Sequence, residues 1–433
     1  MMTPSDPDIR ALLAERIDVE RRGVGILVGL IDPQGRRVVA HGGSGRGDGR
    51  PLDGDTVFEI GSITKAFTAL LLAHMAERGE VGLDDPAARY LPDGVAMPER
   101  GGRQISLSHL ATHTSGLPRR PGNLAPAHWE NLYAGYSAQQ LYAFLGACRL
   151  QSEIGEAHLY SNLGTGLLGH LLALRVGVDF ETLIGERITG PLGMTSTAIE
   201  LPPDLASRLA VGHDQRLRPV GEFQLGVLAG AGGLRSTAND LLDFLAAALG
   251  LAPNPLAPAL SAQLRVRGPS DKAADIQALG WRIRPQGEGE MVFHNGATRG
   301  HRCFLQFDLA RRAGVVVLTN TACARNDDLG LHLLGGLPLT PPHPALVDAA
   351  ALDLCVGCYR LSQTSLLEVS REDGRLFVQL TGQDAYEVYP LGAGEVRWAS
   401  VEATAGFDFG PDGRASGLVL RQGGRERRGA RVG

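Results

Sequence analysis

The stretch Glu59-Ile60-Gly61-Ser62-Ile63-Thr64-Lys65-Ala66-Phe67-Thr68-Ala69-Leu70-Leu71-Leu72 decides how this chain is built. A serine opening an apolar helix, with a lysine one turn on, places both side chains on one face, roughly 5–6 Å apart between Cβ atoms. The helix N-terminus adds unpaired N–H groups and positive potential that can stabilise an oxyanion. Serine alone is a poor nucleophile, and a desolvated neutral lysine can serve as its base. The plainer reading makes Ser62 an N-cap and Lys65 a solvated first-turn residue. Lysine usage favours the chemical one. Of 42 Lys+Arg only Lys65 and Lys272 are lysine, so 42 − 2 = 40 are arginine. Arginine stays charged at any physiological pH whereas a buried lysine can be tuned into a base, so a lysine kept here points to proton transfer.

On the N-terminal side, Asp6–Arg21 reads as a helix with Asp6 as cap and Pro7 in the first turn. Two β-branched runs, Val24–Ile31 and Arg37–His41, joined by Asp32-Pro33-Gln34-Gly35, predict a hairpin. From Ser62 to about Gly250 helices dominate: Thr64–Arg78, Ser106–Thr112, Ala138–Leu145, Asn162–Val176, Phe180–Ile188 and Thr237–Leu249. Strands return at Gly280–Arg284, Met291–His294, Arg302–Asp308 and Gly314–Thr319, followed by a helix around Asp327–Leu334. Isolated hairpins are not stable, so the terminal strands are expected to form one antiparallel sheet flanked by helices, with a helical lobe beside it. The cleft between sheet and lobe is the natural site. A Pro-rich linker, 337–345, then separates residues 1–336 from residues 346–433. About eight short strands between turns in that last segment predict a small all-β barrel or sandwich. The fold class expected is thus α/β (α+β).

Ser62-Ile63-Thr64-Lys65 is followed by Tyr160-Ser161-Asn162 and then by His294-Asn295-Gly296-Ala297-Thr298. The order S-x-x-K, Y-x-N, H-x-G resembles the penicillin-recognising serine hydrolases, which hold class C β-lactamases, DD-peptidases, D-aminopeptidases and family VIII carboxylesterases. Gly82–Pro86, Leu107–Pro118, Pro191–Met194 and Gly232–Asp240 fit the same pattern, and the resemblance covers residues 10–335. It implies a β-lactamase-like fold, with a lipocalin-like barrel at the C-terminus, and an acyl-Ser62 intermediate. Lys65 and Tyr160 would form the proton-transfer pair, with either as base, and Asn162 would orient Lys65 and the substrate amide. His294 and Gly296 would belong to the strand lining the cleft, and the N–H groups of Ala297 and Ser62 to the oxyanion hole. Histidine at 294, where class C β-lactamases carry lysine, departs from the pattern and removes a fixed cation. Arg299 and His301 depart as well. Arg299 either restores the cation as a carboxylate fork or points into solvent.

The remaining features narrow the partners. With 42 basic and 47 acidic side chains the net charge is −5, and no basic block suggests a nucleic-acid binder. No apolar run is long enough to span a bilayer, and the charged start of the chain lacks a signal core, so a cytoplasmic protein is expected. Five cysteines, including Cys355-Val356-Gly357-Cys358 without a second pair, indicate neither a disulfide framework nor a zinc ribbon. His109 and His113 are read as packing and loop-shaping residues, and His170, His213 and His343 have no metal spacing. The expectation is a serine hydrolase acting on a small ester, amide or D-amino-acid substrate without metal or organic cofactor. A class C-like β-lactamase, or a penicillin-binding sensor or scaffold with little turnover, is the alternative.

Overall fold

The computed structural model describes residues 4–125, 129–287, 289–322, 326–340, 353–392, 394–398 and 401–432. Strands β1 (Gly25–Asp32) and β2 (Gly35–Gly42) form the expected hairpin. Asp32 pairs with Gly35 across a two-residue turn, where the Asp32 carboxylate accepts from the Gln34 N–H at 2.8 Å. The short strands β3 (Val57–Glu59) and β4 (Arg235–Thr237) pair with each other, a contact too short to register in the sequence pattern. Strands β5 (Ile276–Gln277), β6 (Arg282–Gln286), β7 (Gly289–Ala297), β8 (Arg302–Asp308) and β9 (Ala313–Thr319) complete one seven-stranded sheet. Its order is β2-β1-β9-β8-β7-β6-β5, antiparallel throughout.

Alternation along β1 explains why both sheet faces are covered. Ile26, Val28 and Leu30 pack with Ile9 and Leu13 of the first helix and with Leu329 and Leu333 of the helix Asp327–Leu333. Leu27 and Ile31 face the larger core of the helices Thr64–Glu77 and Ala238–Ala248. Gly29 shares that face, where a Cβ would sit tightly against the Leu242 side chain at 3.2 Å.

Two differences from the sequence reading arise at contacts between segments far apart in the chain. The first helix runs Asp6–Ala14 and then widens into a π-type turn over Glu15–Val19, which buries Arg16 so that it meets Asp328 at 2.7 Å. Gly280 is not strand: its φ of +69° makes a turn, and a Cβ there would press on the Lys65 carbonyl oxygen at 2.6 Å.

The C-terminal region is a closed barrel of eight antiparallel strands between Gly357 and Val432, which decides between barrel and sandwich. Its interior is filled by residues including Tyr359, Leu367, Val369, Leu376, Val378, Val388, Trp398 and Leu420. Of the Pro-rich segment, 337–340 is described and 341–345 lies outside the described residues. The barrel rests on the turn 214–218 through polar contacts. Gln215 bonds Arg375 and the Glu387 N–H, Arg216 bonds Ser370 and pairs with Glu372, and Arg218 also bonds Glu372. Phe377, on the outside of the barrel, is buried beneath the guanidinium groups of Arg216 and Arg375.

Candidate active site

Ser62 lies in a single tight turn, Gly61–Ile63, that feeds the helix Thr64–Glu77. Gly61 has φ +50°, and a Cβ on it would come within 2.8 Å of the Ala297 N atom. Gly296 is needed for a similar reason, since a side chain there would run into the Ile60 carbonyl oxygen. The two glycines let the end of β7 lie against the turn that carries Ser62.

Ser62 is half-buried, whereas Lys65 is wholly buried at 0% exposure. Lys65 Nζ is 3.0 Å from Ser62 Oγ, 3.0 Å from Asn162 Oδ1 and 2.5 Å from the Ala231 carbonyl oxygen. Tyr160 Oη donates to Ser62 Oγ at 2.7 Å. The Y-x-N spacing has a local cause. Ser161 caps the helix Asn162–Val176, its Oγ accepting from Gly164 N at 2.8 Å. The cap leaves Tyr160 just outside the helix and Asn162 in its first turn, and both reach the Ser62–Lys65 pair. His113 packs its ring 4.5 Å from that of Tyr160, and its Nδ1 accepts from Ser161 N at 3.3 Å. Burial, with Lys65 close by, holds His113 well below the ordinary histidine range, so it packs as a neutral ring. His109 closes a capping box with Ser106.

Burial also pulls Lys65 below the usual lysine range, because desolvation penalises the ammonium. Burial alone would raise Tyr160. The Lys65 charge, the bond to Ser62 and the nearby Arg119 outweigh it and leave the phenol below its ordinary value. Arg119 stands 5.2 Å from the Tyr160 ring centroid. The group therefore holds two tuned proton carriers on one serine oxygen.

His294 is buried in β7, with Nδ1 2.6 Å from the Asn295 carbonyl oxygen. Burial and the Lys65 charge push it down to about 3, so it is a neutral imidazole at physiological pH and not a part-time cation. Arg299 does not point freely into solvent; its side chain is mostly buried and ion-paired. Its Nε donates to Asp384 of the barrel at 2.9 Å, and a second nitrogen lies 3.6 Å from Glu130. His301 faces inward to Glu59, Nδ1 to Oε2 at 3.3 Å, and Glu59 also accepts from Phe223 N at 2.7 Å. Sequence reasoning passed over Glu59, the Ala231 carbonyl, Arg119 and Asp384. Only Glu59 carried a usable signal, as an acidic residue in an otherwise apolar approach to Ser62. Among the described residues, no group of three or more His, Cys, Asp or Glu is placed to hold a metal ion.

The fold and this site define a mixed α/β protein with a serine, lysine and tyrosine joined in one part-buried hydrogen-bond set. The β-lactamase family model matches residues 9–333, and the chain belongs to that family, within the penicillin-recognising serine hydrolases. It is 30% identical over 239 residues to the D-alanyl-D-alanine-carboxypeptidase/endopeptidase AmpH of Escherichia coli, a match covering 55% of this chain and 60% of that relative. The chain thus matches less than two thirds of that protein's length. A penicillin-binding protein of Bacillus subtilis is 26% identical over 405 residues, covering 87% of this chain and 88% of the relative. Among solved structures, a class C β-lactamase from Rhodobacter sphaeroides superposes with a TM-score of 0.64 at 26% identity. That superposition covers 74% of this chain and 95% of the other.

Proposed function

We propose that this protein is a serine hydrolase that cleaves an ester or amide through an acyl-Ser62 intermediate. One observation carries the reading: Ser62 Oγ sits 3.0 Å from Lys65 Nζ and 2.7 Å from Tyr160 Oη, and both partners are shifted below their ordinary proton affinity. Ser62 Oγ attacks the substrate carbonyl carbon and its proton passes to whichever of Lys65 and Tyr160 is deprotonated. Asn162 holds the lysine amine through its side-chain oxygen. The backbone N–H groups of Ser62 and Ala297 receive the developing oxyanion. The stored proton then leaves with the alcohol or amine product, and water attacks the acyl-enzyme to regenerate the serine.

The relation to a D-alanyl-D-alanine carboxypeptidase brings D-peptides into the substrate range, though their C-terminal carboxylate meets the same obstacle as that of a β-lactam. The neutral His294 and the ion-paired Arg299 favour neutral esters over β-lactams, which present a carboxylate. We also propose that residues 1–336 and 346–433 are separable domains. The test is Ser62→Ala, which should abolish p-nitrophenyl butyrate hydrolysis and labelling by a fluorophosphonate. Mapping the adduct to another serine would overturn the assignment. A single burst without sustained product release would mark a penicillin-binding sensor instead of an enzyme.

A further inference from the structure

Two positions beyond the amide assigned to the oxyanion hole, the chain presents Arg299, whose side chain is only 16% exposed. The carboxylate paired with it comes from the barrel. Asp384 ends the loop between the barrel strands Arg375–Leu380 and Ala385–Gly392, and its Oδ1 accepts from Arg299 Nε at 2.9 Å. Glu130 approaches the same guanidinium from the helical lobe at 3.6 Å. Burial raises the Asp384 carboxyl, Arg299 opposes that shift, and Asp214 and Glu130 add to it. Two acidic side chains, Asp384 and Glu130, therefore meet this cation. Tyr386, two residues on, lies within electrostatic reach of Arg302 and of Arg119, the residue beside the Tyr160 ring.

Docking does not need this ion pair. Gln215, Arg216 and Arg218 already hold the barrel through their bonds to Ser370, Glu372, Arg375 and Glu387. Asp384 remains 32% exposed, and ion pairs that touch solvent add little stability. A carboxylate brought onto an arginine next to the third motif has a more direct consequence. An arginine fork engages a carboxylate strongly, and one already engaged repels a second.

We propose that Asp384 is a specificity-determining residue: it serves as a built-in counter-ion on Arg299, filling the position a substrate carboxylate would take, and so turns the enzyme away from acidic substrates. The inference rests on the serine hydrolase reading above and makes the barrel part of substrate selection.

The experiment compares kcat/KM on matched ester pairs: 3-carboxyphenyl against 3-carbamoylphenyl butyrate, and p-nitrophenyl hydrogen succinate against p-nitrophenyl butyrate. Asp384→Asn and Asp384→Ala should raise the acidic-to-neutral ratio on at least one pair by about tenfold or more, the scale of one charge-assisted hydrogen bond. Turnover of the neutral esters should stay within about twofold of wild type, as a selective effect requires. Adding Arg299→Ala to Asp384→Ala should return the ratio to its starting value. Unchanged ratios on both pairs, or a gain that survives loss of Arg299, would overturn the proposal. If Asp384→Ala fails to fold, Asp384→Asn, which keeps an oxygen acceptor, decides it. Fluorophosphonate labelling of Ser62 in each variant keeps the two readings apart. A wild-type protein that neither labels nor hydrolyses the esters sinks the hydrolase reading itself, whereas labelled, active variants with unmoved ratios sink only the role of Asp384.

Discussion

Replacing Lys65 with arginine keeps a positive charge and removes the ability to accept a proton. In the structure Lys65 is fully buried against three acceptors, Ser62 Oγ, Asn162 Oδ1 and the Ala231 carbonyl, and burial lowers its proton affinity. If that lowered affinity is what activates Ser62, Lys65→Arg forfeits a general-base contribution of about 10²–10⁴ in rate. At about 1.4 kcal/mol per tenfold this is a loss of about 3–5.5 kcal/mol of transition-state stabilisation. Lys65→Ala should be similarly inactive. It should also be less stable, because Asn162 Oδ1 and the Ala231 oxygen each lose a partner, at about 1–3 kcal/mol apiece before any relief from removing a buried charge. The assay is the rate of acyl-enzyme formation with p-nitrophenyl butyrate as a function of pH, beside a thermal melt. In wild type the rate should rise with pH, since deprotonation creates the base. The midpoint should lie below lysine's ordinary 10.5 and belong to the Lys65–Tyr160 pair as a unit. The arginine variant should lack that limb. Acylation within tenfold of wild type in Lys65→Arg would show that a positive charge suffices at 65 and would rule out Lys65 as the base.

Gly296→Ala should fold with its sheet intact yet lose roughly 10²-fold in kcat/KM, because the added methyl meets the Ile60 carbonyl and pushes β7 away from Ser62. Steady-state kinetics with circular dichroism would check it. Glu59 is held below its ordinary value near 4.5, as burial, which raises it, is outweighed by bonds from His301, Thr298 and Phe223 N. Its stabilising contribution is therefore complete above about pH 4.5 and is lost as pH falls through the lowered folded-state value. Glu59→Gln should cost about 1–3 kcal/mol at pH 7 and flatten the acid end of the melting-temperature profile. A fragment of residues 1–336 should still be labelled at Ser62 while melting at lower temperature, since the Gln215, Arg216 and Arg218 contacts are gone. Loss of labelling in a folded fragment would contradict the separable-domain proposal.

Several parts of the molecule were legible because they depend on neighbours in the chain. The hairpin at Asp32–Gly35 follows from turn chemistry, and the helix Asn162–Val176 begins where Ser161 caps it. The eight barrel strands show as short apolar runs between turns. The Ser62–Lys65 contact follows from helical spacing, and scarcity of lysine singled it out before any distance was known. Other features depend on segments far apart in sequence. The π-type turn at Glu15–Val19 accompanies the burial of Arg16 on Asp328, and the turn at Gly280 packs on the Lys65 carbonyl. His294 could be read as a fractional cation until its burial beside Lys65 pushed it down to about 3. Arg299 offered two plain choices, a substrate-facing fork or solvent, and its partner, Asp384, is brought to it by the docked barrel from 85 positions along the chain. Local pattern determines which elements form and which side chains share a face. The charge state of a buried group and the partner of a long cation are set by desolvation and by contacts across the fold, and these exist only once the sheet, the lobe and the barrel have come together.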